Sequence, residues 1–372
     1  MAPGTQNAGV AARIDRLLQR ALAAPRSLSS EDLAWALTLD DEIAWQRIDA
    51  AADALKERFC GRRVALRGLV ECSNVCSKNC RYCGIRGGNA KIRRYRLTAD
   101  EIVACCRQAA DWGYGSVALQ AGEIESEENT RFYEDILMRL ADSGLGVTLS
   151  LGEQTDAVYR RWREAGAARY LLRIESSNPS LYGALHPATH SWTRRVDCLR
   201  TLRRLNYQTG TGVMIALPGQ TAEDLARDII FFGDIGADMI GMGPYLPHPD
   251  AVLPGKVMLP PFRTALRMVA LTRLYLHDVN IAATTALQAM ASDGRERAIR
   301  CGANVIMPNL TPLRFREGYQ LYAGKPGTDE NAEDARRALE RSLAAIGETI
   351  AYGEQGNSPH WTARQTASVS SD

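Results

Sequence analysis

Eight short apolar runs, set apart by helical stretches, constrain this chain more than any other feature of its sequence. The runs are Val64–Val70, Ser116–Gln120, Val147–Leu151, Tyr170–Ile174, Gly212–Ala216, Met239–Gly241, Asn280–Thr285 and Asn304–Met307. Between them the apolar residues recur at helical spacing, over 98–112, 125–143, 156–166, 191–205, 222–235, 261–276 and 295–300. Strands that are apolar throughout are buried on both faces, which is the condition of a parallel sheet. Eight βα units point to an α/β fold that closes as a (βα)8 TIM barrel, with an open α/β sheet plus a helical add-on as the alternative. The barrel is expected over residues 59–326. An N-terminal helical extension over 1–58, with a loose start at 1–9, would precede it. A C-terminal helix within 327–352 would follow, and then a disordered tail over 353–372, rich in Ser, Thr, Gln and Asn. A length of 372 residues fits one such barrel with extensions as well as it fits two domains.

Composition removes several function classes. A hydrophobic share of 45% belongs to a globular chain with a sizeable core. The net charge of +2 gives no electrostatic reason to expect nucleic acid or an anionic membrane surface. No run approaches ~18 apolar residues, the length of a membrane span, and the first residues lack the basic-then-apolar order of a secretory signal. Nine cysteines is an odd number, and four of them fall between Cys72 and Cys83. That pattern argues against a disulfide framework and for a thiolate metal site in a reducing, cytoplasmic setting.

The cluster reads Glu71-Cys72-Ser73-Asn74-Val75-Cys76-Ser77-Lys78-Asn79-Cys80-Arg81-Tyr82-Cys83-Gly84. Cys76, Cys80 and Cys83, spaced C-x3-C-x2-C, can reach one metal centre from a single loop. Three thiolates leave a four-iron cube with one iron open, whereas a structural zinc site wants a fourth ligand. Cys72 is the alternative fourth ligand, although its place at the end of a strand lets it face the barrel wall. A redox pair of Cys80 and Cys83 would leave Cys76 unexplained.

A parallel barrel carries its active site at the C-terminal ends of its strands, so those ends are the places to look. Strand two ends in Gln120-Ala121-Gly122-Glu123, where Gly122 admits close backbone approach and Glu123 offers acceptors. Strand three ends in Ser150-Leu151-Gly152-Glu153. Strand four ends in Arg173-Ile174-Glu175, a charged pair that faces a polar cavity or forms a mutual salt bridge. Arg195, on the next helix, either clamps a carboxylate or lies on a solvated face. Pro218-Gly219-Gln220-Thr221 is an architectural turn. His248 sits between two prolines as a ligand, an acid or a structural hydrogen-bonder. Thr284 and Thr285 can hold a small carboxylate, or are there for β-propensity. Met307 ends strand eight. Cys60, Cys105, Cys106, Cys198 and Cys301 read as packing.

The cysteine spacing, with Tyr82 just before the last ligand, resembles the signature of the radical S-adenosylmethionine (SAM) enzymes. Further blocks extend the likeness from about residue 30 to 326. They include Leu149–Glu153, Leu171–Glu175, Leu217–Thr221, Gly243–Asp250, Ile281–Ala286, Arg300–Asn309 and Tyr319–Tyr322. Together these resemble the group that holds biotin synthase, the methylornithine synthase PylB and the HydE-type FeFe-hydrogenase maturases, and they are most similar to the last. The resemblance implies a 4Fe–4S cluster on Cys76, Cys80 and Cys83, whose open iron chelates SAM. One electron from the cluster would then cleave SAM to a 5′-deoxyadenosyl radical. It implies SAM contacts from Tyr82, Gly122, Glu123, Ser150, Glu175 and Arg195. On the substrate side it implies Arg173, Thr284 and Thr285 on a carboxylate, with Tyr322, Met307 and Gln120 lining the cavity. The implied substrate is a cysteine-bound iron carbonyl cyanide complex delivered by a partner maturase, with an electron donor as a further partner.

Two departures stand out: Ile124 replaces the usual acidic residue after Glu123, and no Cys follows Cys301, so no second cluster is expected. An amino-acid mutase of the PylB type, or another enzyme of the group acting on a sulfur-containing small molecule, is the alternative. A non-catalytic iron–sulfur or zinc scaffold is the reading from another class.

Overall fold

The computed structural model describes residues 3–253, 255–327 and 331–369. Met1, Ala2, Pro254, residues 328–330 and residues 370–372 lie outside the described residues, and so do the expectations of a loose start and a disordered tail at those positions.

In chain order the strands are β1 (Arg63–Ser73), β2 (Ser116–Ala121), β3 (Gly146–Ser150), β4 (Arg169–Leu171), β5 (Gln208–Thr211), β6 (Met214–Ile215), β7 (Met239–Ile240), β8 (Gly243–Pro244), β9 (Asn280–Ile281), β10 (Val305–Ile306) and β11 (Thr349–Ile350). Eight of them run parallel in the order β10-β1-β2-β3-β4-β5-β7-β9. The ring closes between its two ends: Asn304 N donates to Ile281 O at 2.9 Å, Ala283 N donates to Val305 O at 2.8 Å, and Ala282 bridges Val305. The fold is thus the expected α/β barrel.

The helices between strands are α4 (Ala99–Asp111), α5 (Glu127–Arg139), α6 (Asp156–Glu164), α8 (Trp192–Arg204), α9 (Ala222–Asp234), α10 (Pro261–Leu276) and α12 (Gly294–Arg300). Thr98, Ser126, Thr155, Ser191 and Thr221 cap five of them by accepting an otherwise orphaned backbone N–H. Two short helices at the C-terminal rim, α7 (Pro179–Leu185) and α11 (Thr285–Met290), carry too little periodicity to be read from sequence.

Before the barrel come α1 (Pro3–Ala23), α2 (Ser30–Thr38) and α3 (Glu42–Cys60), so the expected loose start is already helical from Pro3. Buried Lys56 on α3 pairs with buried Glu348 at 2.7 Å and donates to Ile299 O. That pair ties the N-terminal helices to the chain just before β11, downstream of the one-turn helix α13 (Leu313–Arg316) and of α14 (Ala332–Ala345).

Two expectations are corrected. Apolar residues place strand five over 212–216, yet the ring uses Gln208–Thr211. These residues are polar but satisfied: Thr209 N donates to Asp238 Oδ2 at 2.9 Å, and Gln208 Nε2 donates to Asn357 Oδ1 at 3.0 Å. The apolar stretch lies above the ring, where β6 pairs with β8 and Val213 bridges Glu175.

The second correction concerns the tail, which is ordered as far as Val369. Residues 355–358 cross the N-terminal mouth of the barrel. Arg169 Nη2 donates to Gln355 O at 2.8 Å and to Asn357 Oδ1, and Asn280 Nδ2 donates to Gly356 O at 2.9 Å. Ser358 N donates to Gln208 Oε1 at 2.8 Å, and helix α15 (Pro359–Val369) comes next. The polar composition that suggests disorder instead satisfies a polar barrel base.

Deleting residues 354–372 should therefore cost about 3 kcal/mol, since hydrogen bonds to a buried charged group are worth roughly 1.5–3 kcal/mol. A melting temperature several degrees lower is the expected result. An unchanged melt would show that the plug contributes nothing.

Candidate active site at the C-terminal mouth

The loop after β1 is wound around its own side chains. Arg94 reaches inward, with Nη1 donating to Asn74 O at 2.6 Å and Ile85 O at 2.8 Å, and Nη2 to Arg86 O at 2.7 Å and Asn89 O at 3.1 Å. Asn74 Nδ2 donates to Arg93 O and Gly318 O, closing the loop against the segment after β10. This wrap sets Cys76, Cys80 and Cys83 on the wall of one cavity of about 350 Å3.

The strand ends meet there as well. Tyr82, Gln120, Gly122, Glu123, Ser150, Arg173, Glu175, Arg195, Thr284, Thr285, Met307 and Tyr322 all line the same cavity. Cys72 does not line it. Its side chain is fully buried and packs in the core outside the ring, and its Sγ lies 3.4 Å from Val70 O. His248 accepts from Asp250 N at 3.0 Å, which makes it a structural hydrogen-bonder.

Burial raises the thiols of Cys76 and Cys80, and pushes that of Cys83 up to about 12. They therefore stay protonated until a metal displaces the protons. Cys76 Sγ also accepts Glu123 N at 3.3 Å. Gly122 is obligatory here, because a Cβ would fall 2.3 Å from Val75 O and 2.7 Å from Cys76 Cβ.

Four charges fill the side of the cavity nearest Glu123. Arg195 is buried, not solvated: its Nε donates to Glu153 Oε1 at 2.6 Å and its Nη1 to Arg173 O at 2.6 Å. Glu123 pairs with Lys78 at 3.0 Å and lies 3.9 Å from Arg195. Burial raises the Glu123 carboxyl, and Arg195 opposes that shift. Across from these, Arg173 Nη2 lies 3.0 Å from Glu175 Oε2, outside hydrogen-bonding alignment. Arg173 Nε and Thr284 Oγ1 are buried with no hydrogen-bond partner among the described residues, and Thr285 Oγ1 bonds Tyr322 OH at 3.1 Å.

Linear sequence assigns no role to Lys78, Glu153, Arg94 or the buried pair of Lys325 and Glu71. Their only signal is a charge inside a motif or beside an apolar strand end.

Residues 70–232 match the model of the Radical SAM superfamily. The chain is 45% identical over 300 residues to the [FeFe] hydrogenase maturase subunit HydE of Thermotoga maritima, covering 81% of this chain and 85% of that protein. The chain is a radical SAM enzyme of the HydE family. It is also 27% identical to 3-methylornithine synthase of Methanosarcina barkeri, over 79% of this chain and 83% of that one. The fold matches methylornithine synthase PylB at a TM-score of 0.78 and 23% identity, covering 91% of this chain and 98% of that one. It matches the maturase HydG of Carboxydothermus hydrogenoformans at 0.76 and 19%, covering 94% and 81%.

The radical SAM family uses a 4Fe–4S cluster and SAM. The residues present fit that pair. Three half-buried thiols share one wall, a glycine leaves room beside Cys76, and Arg173 Nε and Thr284 Oγ1, without hydrogen-bond partners among the described residues, belong to residues that line the cavity. Among the described residues no helix is long and apolar enough to cross a membrane.

Glu175 has φ +65°, a left-handed conformation that is costly for a non-glycine residue. The loop behind it is held by α9: Ser177 N donates to Asp228 Oδ1 at 2.7 Å, and Asn178 Nδ2 donates to Asp224 Oδ1 at 2.9 Å. Burial raises the Asp228 carboxyl to about 7, against the pull of the Ser177 bonds. The folded state thus keeps a proton that the unfolded chain releases near pH 4. The corresponding stability is complete below that pH and is lost as pH rises to about 7. Asp228→Asn, which keeps the shape without the charge, should flatten the fall in melting temperature between pH 5 and 7.5. Parallel slopes for the two proteins in thermal melts would refute the assignment.

Proposed function

We propose that this radical SAM enzyme is a hydrogenase maturase whose substrate is a cysteine-bound iron carbonyl cyanide complex, received from a partner maturase in the cytoplasm. One observation carries this reading. A single small cavity in a chain of the HydE family joins the three cysteines to a cation and two hydroxyls suited to an amino-acid carboxylate. When bound, the cluster and SAM, with an electron from a donor protein, supply an adenosyl radical directed at the cysteine sulfur.

The chain's own residues bind and orient. Arg173 forks onto the carboxylate, with Thr284 and Thr285 completing its hydrogen bonds. Tyr322, Met307 and Gln120 wall the cavity and exclude water. Glu123, Glu175 and Arg195 would hold the ammonium, ribose and carboxylate of SAM, Tyr82 would serve its adenine, and Gly122 and Ser150 would provide close backbone and hydroxyl contact. Cys76, Cys80 and Cys83 hold the cluster.

The test is anaerobic reconstitution, then dithionite and SAM, with 5′-deoxyadenosine as the readout. The iron complex should stimulate its formation, and free amino acids should not. Arg173→Ala should lower kcat/KM for the complex by about ten- to a hundredfold, the loss of one charged hydrogen-bonding partner, while leaving unstimulated SAM cleavage in place. Stimulation by a free amino acid instead would favour the mutase reading.

A further inference from the structure

Beyond the three-cysteine motif, the rim holds two histidines that the reaction does not use. We propose that Cys80, His186 and His190 form a binding site for a single thiophilic divalent cation, ferrous iron in the cell, filled before the cluster is assembled. One ligand atom from each residue lies within 4.8 Å of the other two. His186 is 1% exposed and His190 9%. Nε2 of His186 and Nδ1 of His190 are buried and have no hydrogen-bond partner among the described residues.

The tautomer of His186 is set by its surroundings. Its Nδ1 lies 2.8 Å from Tyr182 O, and a carbonyl can only accept, so Nδ1 carries the proton and Nε2 is left as a lone pair. A ring N–H on a backbone carbonyl is the usual outer support of a metal-ligating histidine.

Local chain geometry brings the three together. Asn178 caps α7, which ends at His186 in extended backbone. His190 N then turns back to Pro187 O at 2.9 Å, and the two imidazoles lie 5.4 Å apart and nearly parallel. Arg81 N donates to Leu185 O at 2.8 Å, so the residue after Cys80 is pinned to the residue before His186.

One thiolate and two imidazoles suit Fe(II), Co(II) and Zn(II), with a fourth position open. Tetrahedral ligation at roughly 2.0–2.3 Å asks only that the donors draw together to about 3.5 Å. Binding changes no oxidation state, and the Cys80 thiol gives its proton to solvent. An iron held here sits on a thiolate that the cluster later uses; the proposal rests on the maturase reading only for that later step. Zinc has the same chemistry and would block assembly.

The experiment uses the full apo chain under anaerobic conditions, titrated with Co(II). The expected result is one equivalent bound, with a thiolate-to-cobalt charge-transfer band. Cys80→Ser should abolish the band, and His186→Gln and His190→Gln should each weaken binding at least tenfold. Cys76→Ser and Cys83→Ser should retain it. Ferrous iron should compete for the site and, pre-bound at one equivalent, speed later cluster formation; zinc should compete and slow it. Cobalt bound equally well by both histidine variants, or lost in Cys76→Ser, would overturn the proposal, because the ion would then sit on the cysteines alone. Should His186→Gln fail to fold, the more peripheral His190→Gln decides. Stimulation of SAM cleavage by the iron complex is scored separately, so loss of the maturase reading leaves this outcome intact.

Discussion

The barrel depends on Asn304. A parallel ring has no free edge only when its last strand meets its first, and here the closing strands β9 and β10 are two residues each. Asn304 supplies most of the seam, beside the Ala283 N to Val305 O bond. Its main-chain N–H donates to Ile281 O, its Oδ1 accepts Ile281 N at 2.8 Å, and its Nδ2 donates to Asn280 Oδ1 at 2.8 Å. Buried Arg273 holds the same Oδ1 at 3.1 Å. Thr284 and Thr285 follow one side of this seam and Met307 the other, so the closing hydrogen bonds set the far wall of the cavity.

The near wall is set by charges removed from water. Arg94 gathers carbonyls that would otherwise be orphaned in a loop without regular structure, and so gives the cysteine loop a fixed shape. Lys78, Glu123, Arg195 and Glu153 form a partly exposed-to-buried chain of ion pairs across four segments, the loops after β1, β2 and β3 and helix α8. Such pairs are costly to bury and costlier to break. Their presence beside unpartnered polar atoms is the mark of a site that expects a charged ligand, and SAM carries an ammonium, a carboxylate and a sulfonium.

Much of this is legible in the sequence. Apolar runs of strand length between Ser- or Thr-capped helices specify βα units, because each reports burial along a short local stretch. The Cys76, Cys80, Cys83 spacing and the Gly122-Glu123 step are likewise local. What misleads is composition without context. Gln208, Thr209 and Thr211 look unfit for a buried strand, and residues 353–369 look unfit for any packed role. Gln208 and the tail satisfy each other, through bonds to Asn357 and Ser358 at the barrel base, while Thr209 N is met by Asp238 and Thr211 Oγ1 by Ile174 N. Polar residues 150 positions apart cannot reveal that partnership in a linear reading.

The sequence by itself determined the class of the protein: an alternating α/β chain, a three-thiolate loop after the first strand, and candidate polar residues at successive strand ends. Tertiary structure decided which of those residues share a cavity, and which histidines reach a cysteine. It made Arg195 a buried partner of Glu153 where the helix alone allowed a solvated face. It sent Cys72 away from the cavity although it is adjacent in the motif. The physical reason is that period and spacing fix the direction of a side chain within its own element. Desolvation and hydrogen-bond satisfaction depend on what other elements bring to the same point.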